Sequence, residues 1–203
     1  MRRRLLNPYT LALLLIALGL ALVVMYGARS LHSYREFQYI RAQGLDRGTA
    51  SVEAIQPWMP IRYVAVAYAV PEEYIFAQLG IPYDRRNSNT TLGRLNREYN
   101  LNGSADGDHP VIVDRVAAAI EAYRANPVVT GLDDVRPWMT IRYIANSTGV
   151  PESYLLEQIG VGPEGDHAVM PLDRLAEITH FQDGPRGLTV AIRGALRQYE
   201  GEP

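Results

Sequence analysis

The sequence predicts an all-α protein with one N-terminal transmembrane helix followed by two tandem four-helix modules. A long apolar segment without charges lies near the N-terminus, and a large part of the remaining chain repeats itself at an offset of 80 residues. In both copies the apolar residues recur at helical spacing, and no stretch alternates strictly as a half-buried strand would. These observations together predict helices only.

The N-terminal segment has the length and composition of a membrane span. Residues 5–28 carry no charge, and 19 of these 24 residues are apolar. At ~1.5 Å per residue, such a helix crosses a hydrocarbon core of ~30 Å. Cleavage after Gly27 or Ala28 would place Met25 or Tyr26 where a signal peptide needs a small residue. The segment is therefore interpreted as an uncleaved anchor.

Basic and aromatic residues flank this span on both sides. We interpret residues 1–4 as a basic tail and residues 29–50 as a juxtamembrane helix and linker. Arginine and aromatic side chains next to a span typically lie at the level of the lipid headgroups. The residues expected there are Arg2, Arg3, Arg4, Arg29, Tyr34, Arg35 and Phe37. The short tail favours a cytoplasmic N-terminus with the modules outside, although arginines are nearly balanced across the span.

The composition excludes several classes of function. All 20 basic residues are arginines, and the chain contains no lysine and no cysteine. This excludes Schiff-base and P-loop lysines, disulfides, thiolate nucleophiles and cysteine metal sites. From residue 29 onward 17 arginines face 22 acids, so this part carries 17 − 22 = −5. Such a charge argues against a nucleic-acid partner, and no cofactor is predicted.

The internal repeat defines the modules. Residues 55–81 align with residues 135–161, with 13 of 27 positions identical. The alignment continues at an offset of 76 after a shorter loop, and it covers about 70 residues in each copy. The sequence therefore predicts repeat 1 over residues 51–127 and repeat 2 over residues 131–201, each with four short helices.

A Pro-Trp-Met tripeptide precedes the first helix of each repeat and marks the candidate partner-binding residues. A tryptophan there either packs as a lid over its own small core or forms an exposed platform for a partner or glycan. The arginine and tyrosine that follow it are expected to flank the buried helix face and to pair with acids of the second helix. The candidate partner-binding residues are Trp58, Arg62, Tyr63, Trp138, Arg142 and Tyr143.

The segment TIRYIANSTGVPESYLLEQIGV, residues 140–161, resembles three kinds of module. Its small Ala145, turn Gly149 and apolar Leu155 resemble a helix-turn-helix pair, which implies DNA binding. Its glycine-valine turn and apolar-glycine-apolar end resemble LysM modules, which implies binding of envelope glycans. A longer part of each copy is similar to small helical modules of bacterial membrane-associated proteins, which implies no particular activity.

Two of these resemblances meet contrary features in the chain. Ala69 occupies the turn position of repeat 1, where both patterns have glycine. The second helix carries acids, Glu72 and Glu73 in repeat 1 and Glu152 in repeat 2, which would repel DNA phosphates. Further helical segments also follow where a LysM module requires a strand.

Catalytic and metal-binding candidates are few. His109 and His167 each end a Gly-Asp-His triplet, but the two triplets do not coincide under the repeat offset. Residues 102–109 are rich in oxygen ligands but lack the EF-hand spacing. We therefore predict a non-enzymatic accessory or scaffold subunit of a membrane assembly, whose partners are other subunits and the lipid bilayer. The alternatives are an envelope-glycan-binding protein and a membrane-tethered helix-turn-helix regulator.

Overall fold

The described part of the chain is helical. The computed structural model describes residues 16–23, 44–45, 50–101 and 110–200. These ranges contain no β-strand, only two isolated bridges, Pro60 with Thr91 and Thr140 with Pro171. The all-α prediction is confirmed for them. Residues 1–42 and 43–203 form two separate compact units, so both repeats belong to one unit.

Four helices recur in the same order in the described part of the two repeats, and repeat 1 has a fifth, four-residue helix beyond the four that the sequence predicts. The helices of repeat 1 are α1 (Ile61–Tyr68), α2 (Glu72–Leu79), α3 (Arg85–Ser88), α4 (Leu92–Glu98) and α5 (Val111–Ala125). Those of repeat 2 are α6 (Ile141–Thr148), α7 (Glu152–Gln158), α8 (Leu172–Ile178) and α9 (Gly184–Glu200). Short 3-10 turns lie at Val52–Ala54 and His167–Val169. The second of these turns stands where repeat 1 has the four-residue α3.

Only a third of the predicted membrane span is described. Residues 16–23 are helical with exposed side chains. Across the described ranges, no helix combines the length and the apolar character that crossing a bilayer requires. The rest of the predicted span, the basic tail and the seven interface residues from Arg2 to Phe37 lie outside the described residues.

Each repeat buries one face of its first helix and packs its long last helix against two others. Ile61, Val64 and Ala65 of α1 are buried, and so are their counterparts in α6, as the spacing predicts. The long helix α5 packs against α2 and α4, and α9 packs in the same way against α7 and α8. The last helix of each repeat therefore closes the core formed by the earlier ones.

The Pro-Trp-Met loops are fixed by backbone hydrogen bonds to the third main helix of their own repeat. The Leu92 N–H donates to the Met59 carbonyl at 2.9 Å, and the Leu172 N–H donates to the Met139 carbonyl at 2.8 Å. Both methionine side chains are buried. The loop thus places its tryptophan at the same point of both repeats.

The turn between the first two helices has the same backbone geometry in both repeats. Gly149 adopts a left-handed conformation with φ +77°, and Ala69 adopts one with φ +53°. Alanine pays a steric cost in this region that glycine does not. Although Ala69 replaces the expected glycine, the left-handed turn is therefore still formed in repeat 1.

The substitution Gly149→Ala tests the packing of this turn. A Cβ at Gly149 would lie 3.0 Å from Cγ2 of Val129 in the linker and would also force alanine into a left-handed conformation. We expect the free energy of unfolding in urea to fall by about 2 kcal/mol. Gly160→Ala is the control, because Gly160 has a similar φ of +68° with nothing within 4 Å. Equal losses for both variants would show that contact with Val129 contributes nothing.

Candidate functional site

An arginine-glutamate ion pair joins the first two helices of each repeat. Arg62 Nε lies 3.0 Å from a carboxylate oxygen of Glu72, and Arg142 Nε lies 3.0 Å from one of Glu152. The pairing expected between the arginines and the acids of the second helix is therefore present in both copies. The two pairs differ in environment, because the Glu72 side chain is 1% exposed and that of Glu152 is 33% exposed.

The tryptophan of each repeat lies beside the tyrosine of the following helix. Ring centroids are 6.4 Å apart for Trp58 and Tyr63, and 5.8 Å apart for Trp138 and Tyr143. Both tryptophans are half-buried. Each ring therefore covers part of its own module while keeping an accessible part.

Repeat 2 contacts repeat 1 through α6, which lies on the α1–α2 turn. The Asn146 side-chain amide donates to the Ala69 carbonyl at 2.6 Å, and the Glu72 backbone N–H donates to the Tyr143 hydroxyl at 3.3 Å. The Tyr123 hydroxyl in turn donates to the Asn146 carbonyl at 3.1 Å. These bonds satisfy backbone groups at the end of α1 and the start of α2.

The Arg62 guanidinium links the two repeats a second time. Its centre lies 4.7 Å from the centroid of the Trp138 ring, while Nε bonds Glu72 and a terminal nitrogen donates to Asn89 at 2.9 Å. A cation over an indole face is attracted by the ring quadrupole. One face of Trp138 is therefore occupied by a side chain of the other repeat.

The surface of repeat 1 beneath α6 is named the covered face. Its members surround the α1–α2 turn and are all buried. They are Ala69, Pro71, Glu72 and Tyr123.

The corresponding surface of repeat 2 is named the open face, because no helix of the described chain lies across it as α6 does in repeat 1. Its members are Gly149, Pro151, Glu152 and Tyr199. Tyr123 is 3% exposed, whereas its counterpart Tyr199 is 37% exposed. Yet the ring pair at this point is retained, since centroids are 5.1 Å apart for Tyr74–Tyr123 and for Tyr154–Tyr199. The two faces thus share geometry and differ in what covers them.

A cleft of about 520 Å³ opens between the repeats. Three of the six candidate partner-binding residues line it, namely Arg62, Trp138 and Tyr143. The other three, Trp58, Tyr63 and Arg142, do not. The remaining charged and aromatic lining residues are Glu73, Tyr83, Arg85, Asp133, Asp134 and Arg136.

Two carboxylate oxygens at or next to the cleft lack hydrogen-bond donors in the described chain. One carboxylate oxygen of Glu72 and one of Glu73 are buried without a hydrogen-bond partner. Burial raises the pKa of the Tyr83 hydroxyl, and the charges of Glu73 and Glu72 raise it further. The pKa of Tyr143 is also raised, first by burial and then by the Glu72 charge. Both phenols therefore remain protonated and can donate.

Sequence reasoning did not find four residues that shape this region. Glu73 appeared only among the second-helix acids that would repel DNA, and Tyr83, Tyr123 and Asn146 were not named as candidates. For two of them a signal was present in the alignment of the repeats. Glu73 is replaced by Ser153, and Asn146 stands where repeat 1 has Val66. Positions at which the two repeats differ in sequence therefore indicate the contact between them better than positions at which they agree.

The histidine candidates do not form a site in the described residues. His167 lies on a 3-10 turn, with Nδ1 3.2 Å from the Gly162 carbonyl. No group of three or more metal-ligating side chains occurs in the ranges that the structure describes. His109 lies outside those ranges.

Comparisons with protein-family models, with curated proteins and with solved structures find no match to the chain. The resemblances to helix-turn-helix, LysM and bacterial membrane-associated modules therefore stay predictions from sequence.

Replacing each arginine of the duplicated ion pair gives a matched test of the junction. Arg62→Ala removes the cation from a buried carboxylate, and we expect it to lower the free energy of unfolding by about 3 kcal/mol. Arg142→Ala frees a partly hydrated carboxylate, and we expect a loss below about 1 kcal/mol. Urea denaturation of both variants measures the difference. Equal losses would contradict the described burial of Glu72.

Proposed function

We propose that the chain is a non-enzymatic, single-pass membrane protein that acts as an accessory or scaffold subunit of a larger membrane assembly. Residues 5–28 form the anchor, and the repeats over 51–127 and 131–201 hold partner subunits outside the cytoplasm. The seven arginine and aromatic residues flanking the anchor contact the bilayer headgroups. Nucleic acid is not a partner, given the acidic charge of this part.

The observation that carries the proposal is the difference between the covered face and the open face. In repeat 1 the α1–α2 turn receives a helix, α6, across its surface. Repeat 2 has the same turn geometry, ion pair and tyrosine pair. A surface that binds a helix in one copy and is exposed in the other supports docking of a partner helix on the second.

The internal junction also indicates the chemistry of that partner. Tyr143 and Asn146 stand three residues apart on one side of α6, and they bond an amide and a carbonyl of the covered face. The equivalent groups of the open face are the Glu152 amide and the Gly149 carbonyl. Neither has a hydrogen bond within the described chain. We therefore expect a helix that presents a hydroxyl and an amide at similar spacing.

Apolar surface next to the open face adds to its capacity for binding. Val128 and Val129 of the linker are exposed, and they line a groove of about 300 Å³ together with Pro151. Exposed apolar side chains grouped beside polar ones are typical of interaction sites. The groove lies where a helix on the open face would meet the linker.

The two alternative functions have less support. A glycan-binding role favours free aromatic faces, and Arg62 already occupies one face of Trp138. A helix-turn-helix regulator requires basic side chains on the second helix, and α7 carries Glu152 and Glu157 instead. Trp58, the tryptophan of repeat 1, is half-buried and is not covered by either of these two arguments.

Purification of the tagged full-length chain in mild detergent tests the scaffold role. We expect another membrane protein to co-purify, and Ser153→Arg to reduce its recovery at least about tenfold by placing a bulky charge beside the open face. Ile178→Arg is the control, because Ile178 is an exposed apolar residue of α8 away from that face. Recovery of the chain alone, or equal effects of both variants, would overturn the proposal.

Fractionation tests the anchor and its orientation. The full-length chain is expected to stay with membranes after carbonate extraction, since a single apolar span resists it. Protease added outside spheroplasts is expected to degrade the repeats. Release by carbonate would overturn the anchor, and protection from protease would overturn the orientation.

A further inference from the structure

The cleft between the repeats contains hydrogen-bond acceptors without donors. Glu72 is 1% exposed, and only one of its carboxylate oxygens is bonded, to Arg62. One oxygen of Glu73, which lines the cleft, is buried and unbonded as well. A buried carboxylate oxygen without a donor costs free energy, which a bound donor restores. Two such oxygens on successive residues are acceptors that a bound donor would satisfy.

The other cations of the cleft do not fill this need. Arg136 pairs with Asp134 at 3.1 Å. Arg85 is exposed and makes no ion pair within the described chain. Asp133 and Asp134 add negative charge to the wall. Within the described chain Arg62 thus pairs with Glu72, and Glu73 makes no ion pair.

Comparison of the repeats shows that this excess of acceptors is specific to the cleft. Ser153 replaces Glu73 in repeat 2, so only one carboxylate is present there. That carboxylate, of Glu152, is one-third exposed and accessible to water. The duplicated framework thus exists without the second acid and without buried orphan oxygens.

The surrounding side chains select among possible donors. A metal ion is not favoured, because no three ligating residues come together in the described ranges. The aromatic rings of Tyr83, Trp138 and Tyr143 line the cleft, and the half-exposed ring of Tyr83 offers a face for a flat cation. Arg62 already shows that a guanidinium fits between Glu72 and Trp138. A guanidinium supplies several coplanar donors, whereas an ammonium supplies a compact charge.

We propose that the cleft between the repeats binds an arginine side chain of a partner polypeptide, with its guanidinium donating to the Glu73 carboxylate beside Tyr83 and Tyr143. The volume of about 520 Å³ lies within the ~300–1,000 Å³ typical of ligand pockets. Tyr83 is 50% exposed, so this wall of the cleft is reached from solvent. This cleft is separate from the open face, so either binding proposal can be disproved without affecting the other.

Titration with short peptides tests the proposal on the full-length chain in detergent micelles. The probe is acetyl-Gly-Arg-Gly-amide, and the readout is fluorescence of Trp138 in a Trp58→Phe background. We expect a saturable change, with at least about tenfold weaker binding of the citrulline peptide, which has the same shape without the charge. Equal binding of both peptides, or no binding of the arginine peptide, would overturn the proposal.

Matched variants locate the site. Glu73→Gln is expected to weaken the arginine peptide at least about tenfold, because it removes a charge-assisted hydrogen bond. Glu177→Gln, at an exposed acid of α8 that does not line the cleft, is expected to leave affinity unchanged. An unchanged affinity in Glu73→Gln, or equal losses in both, would contradict the assignment. Neither outcome depends on co-purification of a subunit, so this test is independent of the scaffold proposal.

The melting temperature of the unliganded protein separates binding from misfolding. Glu73→Gln removes a half-buried carboxylate that makes no ion pair within the described chain, so we expect it to melt no lower than the parent chain. A ligand-binding role predicts lost affinity with stability retained. A lowered melting temperature together with unchanged affinity would assign Glu73 a structural role instead.

Discussion

The structure of residues 43–203 depends on how the ends of two short helices are satisfied. The α1–α2 turn is tight, and its ends leave the Ala69 carbonyl and the Glu72 amide without intrahelical partners. Side chains of α6 supply those partners from the other repeat. The stacking of Arg62 on Trp138 and the burial of Glu72 occur at the same junction. The two repeats therefore form one compact unit, because backbone groups at helix ends in repeat 1 are bonded by side chains of a helix in repeat 2.

The same contact gives two similar sequences different electrostatics. Transfer of a carboxylate from water costs several kcal/mol, and an ion pair offsets that cost only when the remaining lone pairs are also bonded. The Glu152 side chain is 33% exposed to solvent, whereas one carboxylate oxygen of Glu72 is buried without a hydrogen-bond partner in the described chain. We expect the partly exposed Arg142–Glu152 pair to contribute little to stability. In its counterpart in repeat 1, Arg62–Glu72, the glutamate is buried and the pair leaves that carboxylate oxygen without a donor. Burial of Glu72, together with the acid at Glu73 where repeat 2 has Ser153, makes the cleft a place where an added donor is favourable.

Much of the helical architecture could be predicted from the sequence, because apolar spacing and prolines act locally. The buried face of α1 and the start of α2 after Pro71 follow from these local rules. The ion pair between Arg62 and Glu72 was also predictable, since the repeat placed both residues in fixed positions. The junction was not predictable in the same way. Nothing in a repeated motif states which copy covers the other, and that choice decides which residues line the cleft.

One difference between the copies bears on what fills the open face. Head-to-tail contacts between equivalent surfaces continue without limit unless something ends them. A second copy of the chain that presented α1 would place Val66 where α6 has Asn146. Valine cannot donate to a backbone carbonyl, so this contact would lose the shorter of the two hydrogen bonds seen at the internal junction. Of the two first helices, only α6 has a polar donor at this position, and that donor, Asn146, is already bonded at the internal junction. This asymmetry disfavours chains of identical molecules and favours a different protein on the open face.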